Sequence, residues 1–221
     1  MSGGGNSVAP KPAFTLTEVL VTLGIIGVVA TLTLPSMIAK HKEKELIVAW
    51  KKAFSDMSNA AMLMSQYTED LSNEQRIAEA FAKYIKSDRV CEANKDIEQG
   101  CWNENTPVYT FKRQKICNSL GEVGGGAACI NTVSGGSLCI DSGGRYSILL
   151  YDVNGTRKPN IVGDDIFAAI FDSQTYIVRV AQGYKLNWGA ADGQFVIMTE
   201  GDGTCGSDRY GWACSAEKLV K

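Results

Sequence analysis

Residues 11–45, KPAFTLTEVLVTLGIIGVVATLTLPSMIAKHKEKE, decide how the rest of the chain is read. From Phe14 to Ala39 the stretch holds 26 residues, and Glu18 is its only ionisable side chain. At about 1.5 Å per residue a helix of that length runs roughly 39 Å, enough to cross a hydrocarbon core of about 30 Å. A charged group in such a segment is expensive and by default has a functional partner. Pro35 is the second anomaly, because proline lacks an N–H and clashes with the preceding turn, so it is expected to kink the helix or mark a stretch that unwinds. Gly24 and Gly27 lie upstream and allow close helix packing.

The segment does not end as an export signal ends. Its small residues Ala30 and Thr31 lie inside the apolar run, and no small-x-small cleavage pattern follows it. Instead Leu46, Trp50, Ala53, Met57, Ala60, Ala61 and Met64 recur at steps of three and four, which is the stripe of an amphipathic helix. One continuous helix over residues 15–66, about 75 Å long, is the expectation. Lys11 precedes the span, and Lys40, His41, Lys42 and Lys44 follow it, interleaved with Glu43 and Glu45, so the flanking charges alone do not set its orientation.

Of the seven cysteines, all lie after residue 90. Cys91 and Cys101 are ten apart, Cys129 and Cys139 ten, Cys205 and Cys214 nine, and Cys117 is left over. No C-x-x-C occurs, which argues against a zinc knuckle or a thioredoxin-like centre. Disulfides are expected, and they place the C-terminal part outside the cytoplasm. Nearest-neighbour pairing is one of many connectivities that seven cysteines allow.

The motifs of AFTLTEVLVTLGIIGVVATLTLP, residues 13–35, resemble the N-terminus of type IV prepilins and of type II secretion pseudopilins. The resemblance covers about 30 residues closely and implies cleavage between Ala13 and Phe14 by a prepilin peptidase, followed by N-methylation of Phe14. Glu18 takes the place of the family's glutamate, fifth after the cut, and Pro35 that of its proline. The family usually carries glycine before the cut, and this chain has Ala13; Thr17 stands where a larger aliphatic residue is common. The implied fold is α+β, pilin-like: a long N-terminal helix, membrane-spanning in its first half, packed against a C-terminal antiparallel sheet. The implied organisation is a leader over residues 1–13, a transmembrane and assembly helix over 14–39, and an extracytoplasmic domain over 40–221. The implied function is a structural subunit of a type IV pilus or a secretion pseudopilus, held in the bacterial inner membrane and then assembled into an extracellular or periplasmic filament. Its partners would be copies of itself and other pilin-like subunits, the prepilin peptidase, the inner-membrane assembly platform, and membrane lipid before assembly. Assembly residues would be Glu18, Gly24, Gly27 and Pro35, with Glu18 facing the new Phe14 amine of a neighbouring subunit. Removing 13 of 221 residues leaves 208, long for a major subunit, and with the cysteines this favours a minor role. The competing reading is a non-polymerising binding protein anchored by one span, which would need neither Glu18 nor a cleavage motif.

Downstream, Ser72–Gln75 resembles a capping box, and Ile77, Ala80, Phe81, Tyr84 and Ile85 predict a short helix over residues 73–86. A sheet of three or four antiparallel strands is expected within residues 108–221, with strands in RYSILLYDVNG (145–155), TYIVRVAQGYKLN (175–187) and GQFVIMTE (193–200). Asn154-Gly155 reads as a hairpin turn, and also as a glycosylation sequon. Residues 91–141 are read as turns and short strands; GEVGGGAAC is no P-loop, since no G-K-[ST] closes it. Residues 152–167, DVNGTRKPNIVGDDIF, resemble a recurring element of pilin globular domains. Asp152, Asn154, Asp164 and Asp165 are oxygen donors suited to calcium, but their spacing is not that of an EF-hand and Asx residues favour turns, so a structural turn is expected and no metal or cofactor. The last stretch reads as a loop closed by Cys205 and Cys214, then a terminal edge segment, with Tyr210 and Trp212 either exposed or buried. The net charge of −2 gives no pull on nucleic acid. The single histidine, His41, is remote in sequence from every cysteine, so a Cys–His nucleophile, and with it enzymatic activity, is not expected.

Overall fold

The structure, a computed structural model, describes residues 14–123, 126–180, 205 and 210–220. The fold is α+β: α1 (Leu16–Met64), α2 (Glu74–Tyr84), β1 (Ser87–Cys91), β2 (Val108–Tyr109), β3 (Lys115–Cys117), α3 (Leu120–Val123), β4 (Ala128–Thr132), β5 (Ser137–Gly143), β6 (Tyr146–Asp152), β7 (Ile166–Asp172), β8 (Ile177–Val180) and α4 (Cys214–Val220). The chain divides into two compact units, Met1–Lys42 and Glu43–Lys221.

In the first unit α1 is long and apolar enough to cross a membrane, and its apolar side chains are exposed. Its hydroxyls turn back onto the helix: Thr31 Oγ1 donates to the Gly27 carbonyl at 2.7 Å, Thr33 Oγ1 to Val29 at 2.9 Å, and Ser36 Oγ to Thr33 at 2.9 Å. Such bonds satisfy polar groups that would otherwise be unpaired in hydrocarbon. The helix runs through Pro35 without interruption.

In the second unit the helix from Glu43 onward has one buried face, made by Trp50, Ala53, Met57, Ala60, Ala61 and Met64. That is the stripe expected from spacing. With Ile77, Ala78 and Phe81 of α2 it covers one side of a six-stranded antiparallel sheet of order β1-β4-β5-β6-β7-β8. The strands send alternate residues to opposite sides. Leu149, Tyr151, Phe167, Ala169 and Phe171 face the helices. Ile148, Leu150, Ile166 and Ala168 face a second layer containing Trp102, Leu120, Trp212 and the Cys91, Cys129 and Cys139 sulfurs. The Trp50 ring stacks on Phe167 at 4.9 Å between centroids, and Phe81 meets Phe171 edge-on at 5.3 Å.

Several expectations are corrected. Among the described residues the sheet already has six strands rather than three or four, and it includes Ser87–Cys91, ahead of residue 108. Residues 91–141 do hold short strands, as expected, and two of them, β4 and β5, are interior strands of the sheet. The cap of α2 is Asn73, whose Oδ1 accepts from the Arg76 amide at 3.0 Å, so Ser72 and Gln75 form no capping box. Asn154-Gly155 does not close a two-residue hairpin; it opens a 13-residue connection, residues 153–165, between β6 and β7. The terminal edge segment expected after Cys214 is the helix α4. Its Ser215 accepts the Trp50 indole N–H through its carbonyl and the Ala168 amide through Oγ, both at 2.9 Å. Trp212 is buried and Tyr210 partly so. Of the strand expected over residues 175–187, β8 is seen at Ile177–Val180; residues 181–187 and the strand expected over 193–200 lie outside the described residues, as do Met1 to Ala13.

Candidate functional site

Three regions carry the residues singled out in the sequence. The first is the start of α1. Thr15 is the N-cap: its amide and its Oγ1 each donate to Glu18 Oε2 at 2.8 Å, and the Glu18 amide donates to Thr15 Oγ1 at 3.2 Å. This reciprocal pair is a capping box, which satisfies amides left open in the first helical turn. Glu18 therefore has a partner inside its own chain. The sequence carries the signal as T-L-T-E, residues 15–18, with threonine and glutamate at capping-box spacing. Phe14 is exposed just ahead of the cap. Gly24 and Gly27 have open space where a Cβ would stand, so nothing within the chain requires glycine there.

The second region is the disulfide set. Cys91–Cys101, Cys129–Cys139 and Cys205–Cys214 are bonded, with Cα separations of 6.2, 4.1 and 4.1 Å, within or just below the usual range. The second joins neighbouring strands, since Cys129 of β4 lies opposite Cys139 of β5, and the first ties the end of β1 to the loop that follows it. The third ties Cys205 to α4. Cys117 is free, and burial pushes its thiol up to about 12, with the Glu122 charge adding to the effect. It is a packed thiol, not a nucleophile.

The third region is the β6–β7 connection. Asp152 ends β6 and Asp165 immediately precedes β7. The ladder continues one step past Asp152, with the Val153 amide donating to the Asp165 carbonyl at 3.0 Å. Asp165 accepts from the Ile161 amide at 2.6 Å, the Asn160 amide at 2.9 Å and Asn154 Nδ2 at 3.2 Å. Burial nevertheless raises its carboxyl to about 6, the three donors opposing. Asp152 is fully buried; Oδ1 accepts from the Asn154 amide at 3.0 Å and Oδ2 has no partner. Burial, and then the Asp165 charge, hold its carboxyl well above the ordinary range. Asn154 Oδ1 and Asn160 Oδ1 are also buried without partners. Asp164, by contrast, turns to Arg113 at 3.8 Å. Gly163, at φ +89°, lets the C-terminal segment close on this loop, for a Cβ there would meet Cys214 Sγ at 2.7 Å.

Two clefts are open on the second unit. One of about 440 Å³ is lined by Lys52, Asp56, Lys86, Ser134 and Tyr151, and one of about 260 Å³ by Asp88, Asn131, Asn154 and Arg157. Among the described residues no three His, Cys, Asp or Glu side chains gather as a metal cluster. His41 is exposed on α1. Comparison with protein families, curated proteins and solved structures finds no match.

Proposed function

We propose that this chain is a pilin-like structural subunit, cleaved between Ala13 and Phe14 and assembled through the first part of α1 into a filament of the type IV pilus or secretion pseudopilus kind, in a minor position. The single observation that carries the reading is the combination found in residues 14–42: an apolar helix exposed along its length, headed by Phe14 and a capped Glu18, with Gly24, Gly27 and Pro35 along it. A plain membrane anchor needs the apolar length and none of the rest. The disulfide-bonded domain suits an extracytoplasmic location.

In this reading the capping box prepares Glu18 for its task. Cleavage leaves a positive α-amino group on Phe14, four residues before the carboxylate. While the subunit is alone, Thr15 satisfies Glu18. On assembly the carboxylate meets the Phe14 amine of the next subunit, and the pair sets register between helices more than it adds stability. Gly24 and Gly27, free of any intrachain reason to be glycine, admit a neighbouring helix at close range. Pro35 leaves the Thr31 carbonyl without its helical donor, a weak point where the helix can unwind during assembly.

The test is Glu18→Ala in the native host. The expected result is normal membrane insertion with loss of incorporation into filaments. Incorporation at the wild-type level would count against the pairing, and Glu18→Gln separates the cap, which glutamine keeps, from the charge, which it lacks.

A further inference from the structure

We propose that the cleft of about 440 Å³ between α1 and the β4–β5 turn binds a carboxylate carried on a small apolar body. Three parts of the second unit meet there: Lys52 and Asp56 of α1, Lys86 in the link from α2 to β1, and Thr132 and Ser134 of the turn beside Tyr151 of β6. The Val133 amide donates to the Lys86 carbonyl at 2.9 Å, so the link and the turn are held together. The hydroxyls of this cleft carry a proton that they cannot place among themselves. Thr132 Oγ1 accepts from the Gly136 amide at 3.1 Å and lies 3.1 Å from the Gly136 carbonyl, 2.9 Å from Ser134 Oγ and 3.3 Å from the Tyr151 hydroxyl. A hydroxyl offers one proton and two lone pairs, so it cannot serve all four neighbours at once. Whichever way Thr132 turns, the proton of Ser134 or of Tyr151 is left to donate elsewhere. Thr132 and Tyr151 are 5% and 6% exposed, so the fold fixes where that donor stands. Gly136 makes room for it, since a Cβ there would meet the Tyr151 hydroxyl at 2.4 Å.

Charge selects the ligand. Two ammonium groups, on Lys52 and Lys86, and one carboxylate, on Asp56, line the cleft and leave it with a single net positive charge. Lys52 is bonded to Asp56 at 2.5 Å, whereas Lys86 is exposed and has no ion-pair partner among the described residues. A free ammonium with a spare hydroxyl donor matches a singly charged oxyanion, and such charge-assisted bonds are the strong ones. A dianion such as phosphate would leave a negative charge unbalanced beside Asp56. Ala53, Ile85 and Val133 complete the lining with apolar surface for the body behind the carboxylate. The volume is in the range of small-ligand sites and exceeds what a bare carboxylate fills. None of these residues lies in residues 14–42, so the site does not depend on filament assembly.

The experiment titrates the full chain in dodecyl maltoside with N-acetyl-leucine, with an acetylated tetrapeptide ending in leucine, and with the amide of each, and reads binding by calorimetry. The two acids distinguish a free small acid from a chain terminus as the source of the carboxylate. Saturable one-to-one binding of at least one acid is expected, with its amide about tenfold weaker. Lys86→Met and Ser134→Ala, both at exposed positions, should each weaken binding about fivefold or more and leave the unfolding midpoint unchanged. Tyr151→Phe should weaken it likewise, because Thr132 then takes up the Ser134 proton and no donor is left over. Lys112→Met removes an equal charge outside the cleft and should leave binding as in the wild type. Failure of both acids to bind overturns the proposal, as does an amide that binds as tightly as its acid. So does binding that survives both Lys86→Met and Tyr151→Phe.

Discussion

In the unit Met1–Lys42 every large apolar side chain from Phe14 to Ile38 is exposed, whereas in Glu43–Lys221 Trp50, Phe81, Phe167 and Phe171 are fully buried. One helix, α1, contributes to both. Its later part has polar residues on the face away from the sheet, such as Lys52 and Asp56, which pair at 2.5 Å. Its earlier part is apolar all round. A helix that is apolar on every side is stable only when something covers every side, whether lipid or other helices. The difference teaches that the two units are stabilised by different agents: the second by its own core, the first by its surroundings.

The comparison can be broken most forcefully in the core. Trp50→Ala should cost about 3–5 kcal/mol, because it empties the site against Phe167 and removes the donor to Ser215. A denaturant titration in detergent that showed less than about 1 kcal/mol would place the core elsewhere. Next comes the disulfide between interior strands. Replacing Cys129 and Cys139 together by serine opens a loop spanning ten residues and should cost about 2.7 kcal/mol in the chain-entropy treatment, read as a lower unfolding midpoint.

A smaller effect concerns pH. Asp165 holds its proton up to about pH 6 and Asp141, raised first by burial and then by the Glu74 charge, does the same. An unfolded aspartate releases its proton near pH 3.9. Between those values the folded chain binds the extra protons, so stability falls as pH rises. The unfolding free energy should therefore be higher at pH 5 than at pH 7, by an amount on the order of 1–2 kcal/mol, and Asp165→Asn should flatten the slope. A midpoint that climbs from pH 5 to 7 would contradict the burial of these carboxyls. Asp172 acts in the opposite sense below this window, since Arg145 bonds both its oxygens, at 3.0 and 2.8 Å, and holds its carboxyl below the usual range. Its contribution is present above about pH 4 and is lost as pH falls further. The smallest effect belongs to the first unit. Leu23→Ala should change the unfolding midpoint of Glu43–Lys221 by less than about 0.5 kcal/mol, since no buried contact is lost there.

What was legible in the sequence follows the same division. The buried stripe of α1 could be read because only one of its faces is covered, which preserves the three- and four-residue spacing. The strand β7, IFAAIFD, was missed because both of its faces are buried and no polar alternation survives. Nearest-neighbour cysteine pairing, one option among many, is what the structure has, and the sheet register accounts for one of the three bonds, Cys129–Cys139. The Thr15–Glu18 box was legible and went unread. The place of Asn160 was not legible, for it depends on a loop conformation that lets its amide donate to the Asp165 carboxylate, five positions on.

The central claim is that the exposed helix begins, in the working protein, at Phe14. Intact mass of the chain purified from the membranes of its native host tests this most directly. The account predicts a chain of 208 residues beginning at Phe14, carrying one added methyl group and three disulfides among the cysteines. A chain that retains residues 1–13 and bears no methyl group would contradict it.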